Sequence, residues 1–193
     1  MQSDDQVKRL RAPFTEEVAR SLQSGDRILL SGVIYTLRDA GHKRLIELLE
    51  SGGESPFPLK DAVLYYVGPT PATKGRVIGS AGPTTASRMD PYTPALIERG
   101  LRGMIGKGYR SESVVDAIKQ YGAVYFAATG GAGALISRTI LEAQIVAWDD
   151  LGTEALRRLV VKDLPLTVII DSEGRNLYHD GPQAWRRSHG YED

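Results

Sequence analysis

One stretch of this chain gathers the hydroxyl and cationic groups that bind an anion. Residues 76–108 read RVIGSAGPTTASRMDPYTPALIERGLRGMIGKG. Thr84, Thr85 and Ser87 supply hydroxyls, Arg88 a forked cation, and Lys107 a point charge between two glycines. A guanidinium matches carboxylate or phosphate geometry with two parallel donors, whereas an ammonium acts as a movable charge. Gly79, Gly82 and Pro83 set a backbone turn after a short apolar strand. Thr84 reads either as a helix N-cap, the default after Gly-Pro, or as part of an anion site. Arg88 lies four residues on, so on a helical turn the two side chains share a face. A helix N-terminus there would add partial positive charge. Lys107 reads either as a solvated turn lysine or as a ligand group uncovered by its glycine neighbours.

Arg38 is a second cation of interest. It follows the apolar run VIYTL at the mouth of an expected helix. It either pairs on the surface with Asp39 or Glu47, or it serves a ligand, because strand ends in α/β proteins present binding groups. His42 in RDAGHKRL is open to two readings, a catalytic base or a surface or packing residue beside Lys43 and Arg44.

Two phosphate motifs are weak. GSAGPTTASR lacks the Gly-Lys-Ser/Thr ending of a P-loop. TGGAGALIS, with Asp149 and Asp150 about 20 residues on, resembles a dinucleotide fingerprint but lacks its third glycine. Close packing of strand and helix at small residues explains it more cheaply.

The elements that must position these groups alternate. Thr15 starts a helix carrying Val18 and Leu22. Strands are expected at 27–30 and 33–37, then a helix capped by Asp39 and closed by Ser51-Gly52-Gly53. Further strands are expected at 62–67, 76–78, 102–105 and 123–128, with helices at 92–99 and from Ser111 to Gly122. A helix to Ala143 should follow the glycine-rich run, and a hairpin-like tail should span 160–179. Strand–helix alternation predicts an α/β fold with a mostly parallel central sheet and some antiparallel additions. Residues 1–193 read as a single domain, with residues 1–12 a loose polar segment.

Composition narrows the classes. A hydrophobic fraction of 41% and a charged fraction of 25% are those of a soluble globular protein. Zero formal net charge gives no field favouring nucleic acid or a membrane. No apolar run approaches the ~20 residues of a membrane span, and the first residues lack the apolar core of a signal peptide. A cytoplasmic setting fits. The chain has no cysteine, which excludes disulfides, thiolate catalysis and a self-held iron–sulfur cluster. Its three histidines, His42, His179 and His189, show no metal-ligand spacing.

LLSGVIYTLRDAGHKRL at 29–45, IGSAGPTTASRMD at 78–90, MIGKGYRS at 104–111, ATGGAGAL at 128–135 and DLPLTVIIDSEGRNLY at 163–178 occur together and in order. In this the chain resembles the β subunit, or C-terminal domain, of iron–sulfur class I fumarases and L-tartrate dehydratases. The resemblance implies a swivelling β/β/α fold. It implies reversible hydration of fumarate to L-malate, with L-tartrate dehydration as the alternative; a dinucleotide-binding module is a distant third reading. It implies a partner α subunit that holds a [4Fe–4S] cluster, whose open iron takes the leaving hydroxyl, in a heteromer acting on a small dicarboxylate. The isolated chain should be inactive, and a homodimer of it alone would not establish the working assembly. By the same resemblance Thr84 is the catalytic base, Arg88 and Arg38 grip substrate carboxylates, and Lys107 binds substrate. Ser87 replaces a frequent glycine and Tyr109 a common asparagine, and neither change removes a site residue.

Overall fold

A computed structural model describes residues 7–190. Its first strand, β1 (Lys8–Ala12), pairs in parallel with β2 (Arg27–Thr36), from Lys8 opposite Ile28 to Ala12 opposite Gly32. Five residues of the expected loose segment are therefore ordered sheet, and residues 1–6 lie outside the described residues. The segment looks loose in sequence because it is an edge strand whose only buried residue is Ala12. A Cβ on Gly32 would lie 2.1 Å from the Ala12 carbonyl oxygen, so glycine alone lets the two strands approach at the bulge.

Between them, α1 (Glu16–Ser21) starts where Thr15 accepts a hydrogen bond from Val18 N. After β2 come α2 (Asp39–Glu50), β3 (Val63–Tyr65), α3 (Thr93–Glu98), β4 (Gly103–Gly106), α4 (Glu112–Tyr121) and β5 (Val124–Ala127). Helix α4 ends on Gly122, whose φ of +66° only glycine adopts freely. Next are α5 (Gly133–Ile136), β6 (Ile140–Ala147), β7 (Leu156–Ile170) and α6 (Leu177–Ser188).

The sheet is mixed rather than mostly parallel. Strands β1 to β5 pair in parallel, but β7 runs antiparallel to β2, β5 and β6. At 15 residues, β7 is long enough to serve three neighbours. It also closes the sheet, because β2, β3, β4, β5 and back through β7 to β2 form a continuous hydrogen-bonded ring.

Two expectations fail for non-local reasons. Residues 140–143 are not helix: they begin β6, which takes up the free edge of β7. Residues 76–78 are not strand: their loop folds on itself, with Thr70 N bonded to Ser80 O and Gly79 N to Thr70 O. The tail hairpin expected over 160–179 also fails: the chain to Ile170 belongs to β7, and after the turn only Asn176 bridges back to Ile170 before α6 begins.

Alternation along the strands builds two cores. Ile28, Leu30, Ile34, Val63, Tyr65, Val124, Phe126 and Leu166 share one cluster on one face of the sheet. Leu64, Tyr66, Met104 and Tyr125 face the other way and pack with Leu45, Leu96, Ile97, Val114 and Ile118 of α2, α3 and α4. Helices α2, α3 and α4 thus cover one face, and the C-terminal ends of the four parallel strands β2 to β5 are left at one edge.

Candidate active site

All four residues singled out in the sequence lie at that edge. Arg38 follows β2 by two residues, Lys107 directly follows β4, and the TGGAG turn follows β5. The loop carrying Thr84 and Arg88 docks between the ends of β3 and β4. Thr84 N donates to Tyr66 O (2.8 Å), Lys107 N to Thr84 O (3.1 Å), and Ala86 N to Lys107 O (2.9 Å). Gly106 is required beneath it, since a Cβ there would lie 2.9 Å from the Tyr66 ring and 3.0 Å from Ala86 Cβ. The Lys107 stem runs past Gly130, where a Cβ would come within 3.9 Å of its Cδ.

The local geometry differs from the expected helical turn. Thr84 precedes a single 3-10 turn, Ala86–Met89, and the Ala86 N–H is already committed to Lys107. A four-residue turn carries little of a helix dipole, so it adds little charge here. The Thr84 hydroxyl donates to Tyr66 O at 2.9 Å, which turns its lone pairs outward. The TGGAGAL run packs against the GSAG loop rather than opening a long helix. Ala81 N bonds to Gly133 O (3.1 Å), and a Cβ on Gly133 would meet Ser80 Oγ at 2.4 Å.

Arg38 caps α2 through its extended backbone. Its carbonyl accepts from His42 N at 2.7 Å and from His42 Nδ1 at 2.9 Å. Its Nη2 lies 3.4 Å from Glu154 Oε1, and the other Glu154 oxygen accepts from Ala40 N at 3.0 Å. Asp39 turns away from both Arg38 and the cap, and its carboxylate pairs with Arg88 Nη2. The residue that follows Arg38 in the chain is thus the partner of Arg88. The exposures differ: the Arg88 side chain is 48% exposed and that of Arg38 only 18%.

His42 is neither a surface residue nor a free base. Its ring is fully buried beside Tyr66 and Tyr92. A carbonyl only accepts, so Nδ1 carries the proton and Nε2 the lone pair. Burial pulls the imidazole from its ordinary 6.5 down to about 4; the bond to the Arg38 carbonyl opposes this, and the positive charge of Arg110 adds to it.

Buried polar atoms normally find partners, so each exception calls for an explanation. Among the described residues five buried side-chain nitrogen or oxygen atoms have none, and three of them are Arg38 Nε, Asp39 Oδ1 and His42 Nε2. The remaining two are on Arg102, at the opposite edge of the sheet where β4 begins.

Sequence reasoning assigned no part to Glu154, or to the Asp90–Arg110 pair beneath the site. Arg110 Nε donates to Asp90 Oδ1 (2.7 Å) and Nη2 to Thr93 Oγ1 (2.9 Å), while Ser111 N donates to Asp90 Oδ2 (2.6 Å). The guanidinium lies over the Tyr66 and Tyr125 rings, 5.4 and 5.0 Å from their centroids. The signal was present in the quoted RMD and GYRS segments, but without a periodicity to join them. For Glu154, in a turn far along the chain, no local signal exists.

The family model for the fumarase C-terminus matches residues 1–181. The chain belongs to this family. It is 36% identical over 173 residues to the anaerobic class I fumarate hydratase of Escherichia coli K12, a match covering 88% of this chain and 32% of that one. It is 34% identical over 156 residues to fumarate hydratase 2 of Leishmania major, covering 80% and 28%. It is also 34% identical over 173 residues to the putative L(+)-tartrate dehydratase subunit beta of Methanocaldococcus jannaschii, covering 86% and 89%. The chain therefore spans about a third of the fumarate hydratases it matches, but most of a β subunit.

Iron–sulfur clusters take thiolate ligands. This member of the family has no cysteine, and among the described residues no group of three or more His, Cys, Asp or Glu side chains is placed to hold a metal ion. Its residues do not fit as cluster ligands. No helix among the described residues is long and apolar enough to cross a membrane.

Proposed function

We propose that this chain is the β subunit, or the equivalent domain, of a class I fumarate hydratase, and that it supplies the carboxylate grip and the proton acceptor for reversible hydration of fumarate to L-malate. The observation that carries the reading is the grouping of Arg38, Thr84, Arg88 and Lys107 at the C-terminal edge of the parallel strands, with a buried N–H of Arg38 left uncommitted. The domain is of the swivelling β/β/α kind. A partner α subunit completes the enzyme and carries the cluster.

The roles follow from chemistry. Arg88, Arg38 and Lys107 bind the two carboxylates of a four-carbon diacid. When the C–H beside a carboxylate loses its proton, negative charge spreads onto that carboxylate, and fixed cations favour this state over the ground state. Each charge-assisted hydrogen bond contributes roughly 1.5–3 kcal/mol. Thr84 Oγ1 receives the proton. A neutral hydroxyl is a weak base, so Thr84 acts as its alkoxide, the hydroxyl proton that it donates to Tyr66 O having first passed to solvent. The neighbouring cations bring its alkoxide within reach.

L-Tartrate dehydration is the second reading, and one observation favours it: the tartrate dehydratase β relative matches along 89% of its own length. An anaerobic assay decides. The chain is mixed with its cluster-bearing α subunit and offered fumarate, L-malate and L-tartrate, with each protein alone as control. Turnover of fumarate and malate by the mixture only is the expected result. Preference for tartrate would establish the second reading. No turnover of any substrate by a formed complex with intact cluster would refute both.

A further inference from the structure

Arg38 is held in a way that its partner cation Arg88 is not. Two hydrogen bonds from His42 fix the Arg38 carbonyl, and with it the start of α2. Glu154 reaches across from the turn between β6 and β7 to bridge the guanidinium and the Ala40 N–H. Gly68 removes the side chain that would displace the head group, since a Cβ there would lie 2.6 Å from Nη1. Arg88, by contrast, is half exposed and pairs with Asp39 at the surface. These contacts do not saturate Arg38, whose buried Nε keeps an uncommitted N–H. A long side chain normally loses much rotamer freedom on binding, and one already fixed loses little.

We propose that His42 and Glu154 are positioning residues that pre-set the Arg38 guanidinium for a substrate carboxylate. His42 acts through the backbone carbonyl and Glu154 through the head group. Neither touches substrate. The inference rests on the reading of Arg38 as a carboxylate-binding group, and its test has one arm that does not depend on that reading.

That arm is the Nε–H signal of Arg38, followed by nitrogen-15 NMR in the full chain. Glu154→Gln removes the charge but keeps an oxygen for Ala40 N. His42→Leu fills the volume without a donor, whereas His42→Asn places an amide N–H near the Nδ1 position. A slowly exchanging Arg38 Nε–H is expected in the parent and in His42→Asn, and its loss in Glu154→Gln and His42→Leu. The second arm is steady-state kinetics with L-malate in the complex with the α subunit. Loss of positioning before the chemical step raises KM about tenfold and changes kcat by less than about threefold, and His42→Asn recovers most of the loss. In an Arg38→Ala background the Glu154→Gln change should add less than about twofold, because the two act as one unit.

An unchanged Nε–H signal in both Glu154→Gln and His42→Leu would overturn the inference, as would full additivity with Arg38→Ala. Should His42→Leu fail to fold, Glu154→Gln decides alone. A parent complex inert toward every diacid, with the NMR changes still present, would remove the substrate reading and leave the positioning intact.

Discussion

Two ion pairs whose members Arg88 and Asp90 stand on one loop show how structure and site differ in this molecule. Asp90–Arg110 is buried and complete: both carboxylate oxygens accept, and the guanidinium bonds Thr93 and faces two tyrosine rings. Asp39–Arg88 lies at the surface, and Asp39 keeps an unpartnered buried oxygen. The same chemistry therefore has opposite degrees of saturation. A buried charge must be fully satisfied because desolvation is expensive. A binding group must keep capacity for its ligand. The first pair ties the loop bearing Thr84 and Arg88 to the start of α4, and the second waits on that loop's outer side.

The comparison breaks if the two pairs respond alike to removal. Asp90→Ala strands the Arg110 charge, and a loss of about 3–5 kcal/mol in unfolding free energy is expected in urea titrations. Arg88→Ala should cost less than about 1 kcal/mol by the same measurement, because exposed pairs contribute little, while KM in the assembled enzyme rises. Equal losses of stability would mean that burial does not separate the pairs.

Acid sharpens the contrast through His42, which lies between them. Its imidazole titrates near 4 when folded and near 6.5 when unfolded. Between these values the unfolded chain binds a proton that the folded chain refuses, so stability falls as pH drops from about 6.5 to 4 and levels off below. The contribution at neutral pH is on the order of 3 kcal/mol. His42→Asn should flatten the stability profile in that window relative to the parent. Identical slopes in the two proteins would show that His42 is not held neutral by the fold.

The local signals were the legible ones. Thr15, Ser111 and Gly122 bound their helices where the sequence places them, because caps and turns act within a few residues. The strand ends carrying Arg38 and Lys107 were readable from short apolar runs, and those runs put both groups at one edge once the strands are parallel. What escaped is non-local. Residues 131–143 contain Ala, Leu and Glu, good helix formers, yet Ile140–Ala147 is strand because β7 offers an open edge. Asp39 looks like a cap or a partner for its neighbour, but its carboxylate pairs with Arg88, 49 residues on. Nothing near Glu154 in sequence announces that it meets Arg38. His42, beside Lys43 and Arg44, left surface and packing readings open in sequence, and the helix decides for packing by turning it beneath Tyr66 and Tyr92.

The central claim is that this chain grips a diacid and takes its proton at Thr84. Thr84→Ala in the assembled, cluster-loaded enzyme separates these two acts. Calorimetric titration with L-malate should give a Kd within about threefold of the parent, since the cations remain, while turnover falls by about 10²–10⁴, the span of a lost general base. Turnover near the parent's would contradict the account by removing Thr84 from the proton transfer, and loss of binding together with turnover would make it part of the grip instead.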